Sequence, residues 1–253
     1  MKNFLVRAAY NGAAYHGFQR QSNALAVQQV IEEAIEALTG QAVTINGCSR
    51  TDAGVHAREY YFSFTIESGI NCRGIIAGLN DKLPDDIAVL NCKEVPKDFH
   101  ARFMCRGKEY EYIVHNSCIK DPFYKDTAYR SRIAIDEKLL DKAAQAFVGE
   151  HDFRAFCSAD CEKENTVRKI YWFRVRREGD MVVFTVAGNG FLYNMVRIIA
   201  GTLIRVGGGE MAPDEIPQIL GKKDRTAAGP TAPAHGLTMM GIEYEDAEGI
   251  SET

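Results

Sequence analysis

Apolar residues recur along the chain at two periods, and the switches between them mark out its elements. Residues 3–10 (Asn-Phe-Leu-Val-Arg-Ala-Ala-Tyr) form a short apolar run that predicts a strand. Leu25, Val27, Val30, Ile31, Ala34, Ile35 and Leu38 then fall at helical spacing over 24–38, and Gly40 ends the pattern. A short strand over 42–48 precedes a second, aromatic-rich one over 58–66, Arg-Glu-Tyr-Tyr-Phe-Ser-Phe-Thr-Ile. A helix over 71–81 and a strand over 86–96, stopped by Pro96, complete the order β-α-β-β-α-β.

The second half repeats that order. Residues 107–115 alternate as a strand, with Tyr110 and Tyr112 on one face and Glu109 and Glu111 on the other. A helix is predicted over 136–148, with Asp136 as its N-cap and Gly149 just past its end. Residues 168–177 and 180–187 read as a hairpin turning through Glu178-Gly179. An apolar helix over 191–206, a short helix near 213–220 and a strand over 237–244 follow. The simplest architecture is α+β: two ferredoxin-like halves, residues 1–104 and 105–245, with an acidic tail over 246–253.

Composition agrees with a folded domain pair. Of 253 residues, 46% are hydrophobic and 25% charged, near the averages for soluble globular proteins. No apolar run approaches the roughly 20 residues a membrane helix needs. Met1–Tyr10 is broken by Arg7 and has no signal-peptide core, so the expected location is the cytoplasm. Seven cysteines, an odd number without C-x-x-C, predict reduced thiols. Net charge is −4, yet residues 241–253 carry Glu243, Glu245, Asp246, Glu248 and Glu252 and no base, so residues 1–240 sum to +1. Arg168, Lys169, Arg174, Arg176 and Arg177 fall within ten residues that hold no acid. Such local stripes, rather than the total, decide whether phosphates are attracted.

The candidate chemistry begins at Gly47-Cys48-Ser49-Arg50-Thr51-Asp52-Ala53-Gly54-Val55-His56-Ala57, between two predicted strands. Gly47 and Gly54 bracket a tight loop with Asp52 at its tip and Arg50 two residues before it. A carboxylate beside a guanidinium stays ionised and can serve as nucleophile or base. The plainer reading is an Asx turn with Arg50 in solvent. Arg197 lies in a helix apolar nearly all round, so it needs a partner. Asn194, three residues earlier, shares its face. Asp52 is one possible acid, against 34 acids in all or a side chain that reaches the surface. On the basic strand, Lys169, Tyr171, Phe173, Val175 and Arg177 alternate with Arg168, Ile170, Trp172, Arg174 and Arg176. The second set mixes guanidinium and aromatic groups suited to phosphates and bases, or simply faces solvent. Arg102, Arg106, Lys108 and Arg20 add further positive charge.

Other chemistries find little support. Walker A, G-x-G-x-x-G after a strand, H-E-x-x-H and G-x-S-x-G motifs are absent. Cys157 and Cys161 near His151 and Asp152 give a weak zinc suggestion. Gly207-Gly208-Gly209 follows a helix and reads as its terminator.

Arg50-Thr51-Asp52-Ala53-Gly54-Val55-His56-Ala57 resembles the signature of the TruA family of tRNA pseudouridine synthases. The likeness extends through Tyr10-Asn11-Gly12 to Gly17-Phe18-Gln19-Arg20-Gln21, and through the Ser22–Glu32 segment. It continues at Asp98-Phe99-His100-Ala101-Arg102, the Tyr110-x-Tyr112 strand and Phe191 to Arg197. It closes at Asp224-Arg225 and the Ala228-Gly229-Pro230-Thr231-Ala232-Pro233 to Leu237 stretch.

That resemblance implies Asp52 as nucleophile, Tyr110 stacked on the target uracil, Arg197 as ion-pair partner of Asp52, and Arg50 holding loop and RNA. It implies breakage of the uridine C1′–N1 bond, rotation of the base and rejoining through C5, with no cofactor or metal. Family members modify the tRNA anticodon stem-loop, roughly positions 38–40, and the target base must leave its stack to react. The implied assembly is a homodimer with tRNA crossing both subunits, and the implied fold is two RRM-like halves on a continuous mixed sheet with a central cleft. The chain departs from the family at Cys48-Ser49, at Arg58-Glu59-Tyr60 and at Phe18, where the family has Trp. Two other classes are an RNA-binding protein with duplicated halves and no catalysis, and a two-carboxylate hydrolase, which needs a second acid near Asp52.

Overall fold

The structure is a computed structural model that describes residues 1–158 and 164–244. The tail over 246–253 therefore lies outside the described residues. Contacts divide the chain into two units, one of Met1–Arg106 joined by the chain from Met239, the other of Gly107–Thr238. The first half contains β1 (Lys2–Tyr10), α1 (Val27–Thr39), β2 (Asn46–Gly47), β3 (His56–Ile66), α2 (Cys72–Lys82) and β4 (Ile87–Val95). The rest contains β5 (Cys105–Asn116), β6 (Tyr129–Ser131), α3 (Glu137–Ala144), β7 (Gly149–Asp152), β8 (Val167–Glu178) and β9 (Met181–Gly188). After these come α4 (Met195–Gly207), α5 (Glu215–Lys222) and β10 (Leu237–Tyr244). The class is α+β, as the order of elements predicts.

In the first unit the strand order is β4-β1-β3-β10. β1 pairs antiparallel with both β3 and β4. The predicted strand over 42–48 is only Asn46–Gly47, set against Phe62 and Ser63. The last strand of the chain follows the second half in sequence, yet its contacts group it with the first unit. α1 turns Val27, Ile31, Ala34 and Ile35 inward and ends where Gly40 turns left-handed at φ 72°. Asn71 caps α2 by accepting from Gly74 N at 2.9 Å. β3 is buried on both faces, so its aromatic run lacks a clean alternation. Phe62 and Phe64 stack on one side, while Tyr61 meets Tyr244 edge-on at 5.5 Å. The Asp98–Arg102 segment is fastened there. Ser63 accepts from Ala101 N at 3.2 Å, and Asn3 Nδ2 donates to Phe99 O at 3.0 Å.

In the second unit the order is β5-β9-β8-β7, all antiparallel, with β6 parallel to β5. β6 and β7 have three and four residues, too few to show a period. Asp136 caps α3 through Lys138 N and Leu139 N at 3.0 and 3.1 Å. α3 stops at Ala144, short of the predicted end, and a tight turn carries Phe147 into a cluster with Phe153, Phe156 and Phe173. α4 begins at Met195 and not at 191, because Asn194 takes a left-handed φ of 59° that no helix continues through.

The hairpin of β8 and β9 forms, turning through Gly179-Asp180, one residue later than predicted because Glu178 still pairs with Met181, and a bulge between Ile170 and Trp172 breaks the alternation of β8. Ile170 and Phe173 are consequently both buried, three residues apart. This corrects the assignment of Ile170 to the face of Trp172, Arg174 and Arg176.

Candidate active site

Asp52 sits half-buried in a turn whose backbone closes from Val55 N to Asp52 O at 3.1 Å. The turn is gripped from β3 and from the Tyr10–Phe18 stretch. Cys48 N donates to Tyr61 O at 2.8 Å, and the Tyr60 hydroxyl donates to Ser49 O. Phe18 N donates to Thr51 O at 3.1 Å, and Gly54 N to Tyr15 O at 3.2 Å. The hydroxyls of Tyr10 and Thr51 lie 2.8 Å apart. Beyond the turn, Gly12 N donates to His56 Nδ1 at 3.0 Å, which requires that nitrogen to be unprotonated. Of the bracketing glycines, Gly54 takes φ 79° in the turn, and Gly47 lies against the Tyr60 hydroxyl and the Phe18 ring.

The gripping stretch is itself anchored. Tyr15 Oη donates to Asp86 Oδ1 at 2.6 Å, and burial, then that bond, pushes its phenol above the usual tyrosine range. Val27 N donates to Gly17 O and Gln28 N to Phe18 O, at 3.2 and 2.9 Å. Arg20 pairs with the buried Glu32 at 3.0 Å, so it serves α1. Gly17 has φ 88°, and a Cβ there would stand 2.6 Å from Thr51 O. Gly17→Ala should therefore cost roughly 1–3 kcal/mol. Denaturant unfolding checks this, and an unchanged midpoint would show that the loop gives way. Arg50 is exposed.

The second unit holds the other candidates. Tyr110 and Tyr112 share the buried face of β5, as their spacing predicts. Phe191, which sequence reasoning named only as part of a motif, meets the Tyr110 ring edge-on at 5.2 Å. The Tyr112 hydroxyl donates to Pro233 O at 2.9 Å. Arg197 is half-buried in the first turn of α4. A cation there opposes the helix dipole and needs compensation. Nη1 donates to Asn194 Oδ1 at 2.6 Å, the same-face neighbour expected from spacing, and Nε donates to Ala232 O at 2.8 Å. Ala232 N returns a bond to Arg197 O at 3.0 Å. Burial, opposed by Asp126 and assisted by Arg197, holds His235 below the usual histidine range.

On β8 the guanidinium of Arg174 lies over the Trp172 ring, 5.1 Å from its centre. Arg176 bonds Glu178 at 2.6 Å and Glu111 at 3.2 Å, and Arg177 bonds Glu137 at 2.9 Å. The strand is thus less free in charge than its composition implies. Among the described residues no group of three His, Cys, Asp or Glu could hold a metal ion. Cys161, half of the zinc suggestion, lies outside them. Cys157 is disulfide-bonded, a correction to the expectation of seven reduced thiols, while Cys48, Cys72, Cys92, Cys105 and Cys118 are free. No helix among the described residues is long and apolar enough to cross a membrane.

A family model described as tRNA pseudouridine synthase matches residues 7–104 and 143–245. The chain is 44% identical over 245 residues to tRNA pseudouridine synthase A of Ruminiclostridium cellulolyticum, across 96% of this chain and 100% of that protein. The proteins of the same description from Acetivibrio thermocellus and Brevibacillus brevis are each 44% identical over 244 residues, with the same coverage. Agreement of this extent, over 96% of the chain, means that the chain belongs to the TruA family of tRNA pseudouridine synthases.

Proposed function

We propose that this chain converts uridine to pseudouridine in the tRNA anticodon stem-loop, with Asp52 as the nucleophile. The coarser statement, an isomerase that makes pseudouridine in tRNA, stands on the family to which it belongs. One observation carries the role given to Asp52: its turn is held on both sides by hydrogen bonds from outside it, as a reacting carboxylate requires. The anticodon position rests on the family resemblance alone.

The isomerisation is balanced in atoms. The C1′–N1 bond breaks, a C1′–C5 bond forms, C5 loses its proton and N1 ends protonated. A carboxylate suits it as an anionic nucleophile. Tyr110, set edge-on against Phe191, supplies the ring for the uracil. Arg197 supplies a fixed cation, and exposed Arg50 fills the gap left by the extruded base. The same reading makes the protein a cytoplasmic homodimer, which light scattering of the full chain checks.

The deciding experiment incubates the protein with unmodified tRNA and maps pseudouridine. Product in the anticodon stem-loop is expected. Product confined to another arm overturns the position, and binding without product favours the RNA-binding reading. For binding, Arg174→Ala should lower the slope of log affinity against log salt by about one unit. Arg176→Ala should lower it less, because two glutamates already offset that charge. Equal slopes for parent and Arg174→Ala would remove β8 from the interface.

A further inference from the structure

We propose that Tyr10, acting through Thr51, is a positioning residue for the Asp52 carboxylate; this rests on the proposed role of Asp52. Tyr10 ends β1 and is 4% exposed. Its ring centre lies 5.5 Å from that of Tyr60 and 6.4 Å from that of Phe18, and Phe18 stacks on Tyr60 at 4.2 Å. Three rings in mutual contact leave the Tyr10 hydroxyl little freedom. That hydroxyl lies 2.8 Å from Thr51 Oγ1, and Thr51 is 8% exposed. Thr51 is β-branched and stiff at χ1, and its carbonyl accepts from Phe18 N at 3.1 Å. The residue directly before Asp52 is therefore held at side chain and backbone together.

Stability gives little reason for this hydroxyl pair. Two apolar groups of the same shape, Phe at 10 and Val at 51, would fill the space without burying polar atoms. What they would lose is a directional bond across a gap of 41 residues, one step from a carboxylate that must be aimed. Displacement of a reacting group by about 1 Å can cost roughly 10²-fold in rate. Tyr60 holds Ser49 in the same manner from the other corner of the ring cluster.

The test measures single-turnover pseudouridine formation at saturating tRNA, tRNA affinity and melting temperature on the full chain. Tyr10→Phe and Thr51→Val should each slow the step by about tenfold, with affinity unchanged. The double variant should be no slower than the worse single, since both remove one bond, and should melt within a few degrees of the parent. Thr51→Ser, which keeps the hydroxyl, should recover most of the rate and serves if Tyr10→Phe fails to fold. A parental rate in either Tyr10→Phe or Thr51→Val overturns the proposal, as does a multiplied loss in the double or a Thr51→Ser as slow as Thr51→Val. Asp52→Asn is run beside them. If it turns over at the parental rate, the role of Asp52 falls and the positioning role with it. If it is inactive while Tyr10→Phe is unimpaired, only the positioning role falls.

Discussion

Asp52→Asn is expected to fold, to bind tRNA with parental affinity and to make no measurable pseudouridine. Asn is nearly isosteric, and the bonds that hold this turn run through backbone groups: Val55 N to Asp52 O, Phe18 N to Thr51 O and Gly54 N to Tyr15 O. None of these depends on the charge of the side chain, so the turn should keep its shape and the melting temperature should stay within a few degrees of the parent. Asn cannot act as an anionic nucleophile. Removing the nucleophile of a covalent mechanism costs at least about 10⁴-fold. An Asp that served only the turn would behave oppositely, lowering the melting temperature while the folded fraction kept its rate. Pseudouridine formation and tRNA affinity, measured on one sample of known folded fraction, separate the two. Turnover near the parental rate in that sample removes Asp52 from catalysis.

Arg197→Met should have the second largest effect. On the proposed reading the guanidinium supplies positive charge to the reaction, and loss of such a group costs about 10²-fold or more. The structure also predicts a stability cost. Arg197 satisfies Asn194 Oδ1 and Ala232 O, and Met leaves both without that donor, at about 1–3 kcal/mol if they stay buried. Rates must therefore be taken at a temperature where the variant is folded. Arg197→Lys keeps the charge but not the planar fork, so it should fall between parent and Met in rate. A merely structural Arg197 gives a different pattern: Met lowers the melting temperature, and kcat on folded protein equals that of the parent. Equal rates for Arg197→Lys and Arg197→Met would show that charge is not what the residue contributes.

The site was legible where chemistry is written in consecutive residues. The R-T-D-A-G-V-H run marked the turn and Asp52, alternation set Tyr110 beside Tyr112, and three-residue spacing joined Asn194 to Arg197. Thr51 was not marked out, because a threonine beside the proposed nucleophile has no pattern of its own. Its significance lies in a hydroxyl supplied by Tyr10 and an amide supplied by Phe18, both more than 30 residues earlier. Arg176 proves less free in charge than its stripe implied, for a related reason. Its stripe has no acid in sequence, yet Glu111 reaches it from β5.

By itself the sequence determined what short windows encode. It set helices by apolar periodicity and by a cap such as Asp136, and strands by alternation. It set the hairpin by turn chemistry around Gly179, to within one residue of the Gly179-Asp180 turn, and the family by the order of its motifs. Only the tertiary structure decided that the last strand joins the first unit beside β3, that a bulge moves Ile170 to the buried face, and that the Asp52 turn is framed by Tyr10–Phe18. The physical reason is the same in each case. Backbone hydrogen bonds and side-chain grips between distant segments form only when folding brings those segments together, and their energies depend on the partner found there, which no local pattern names.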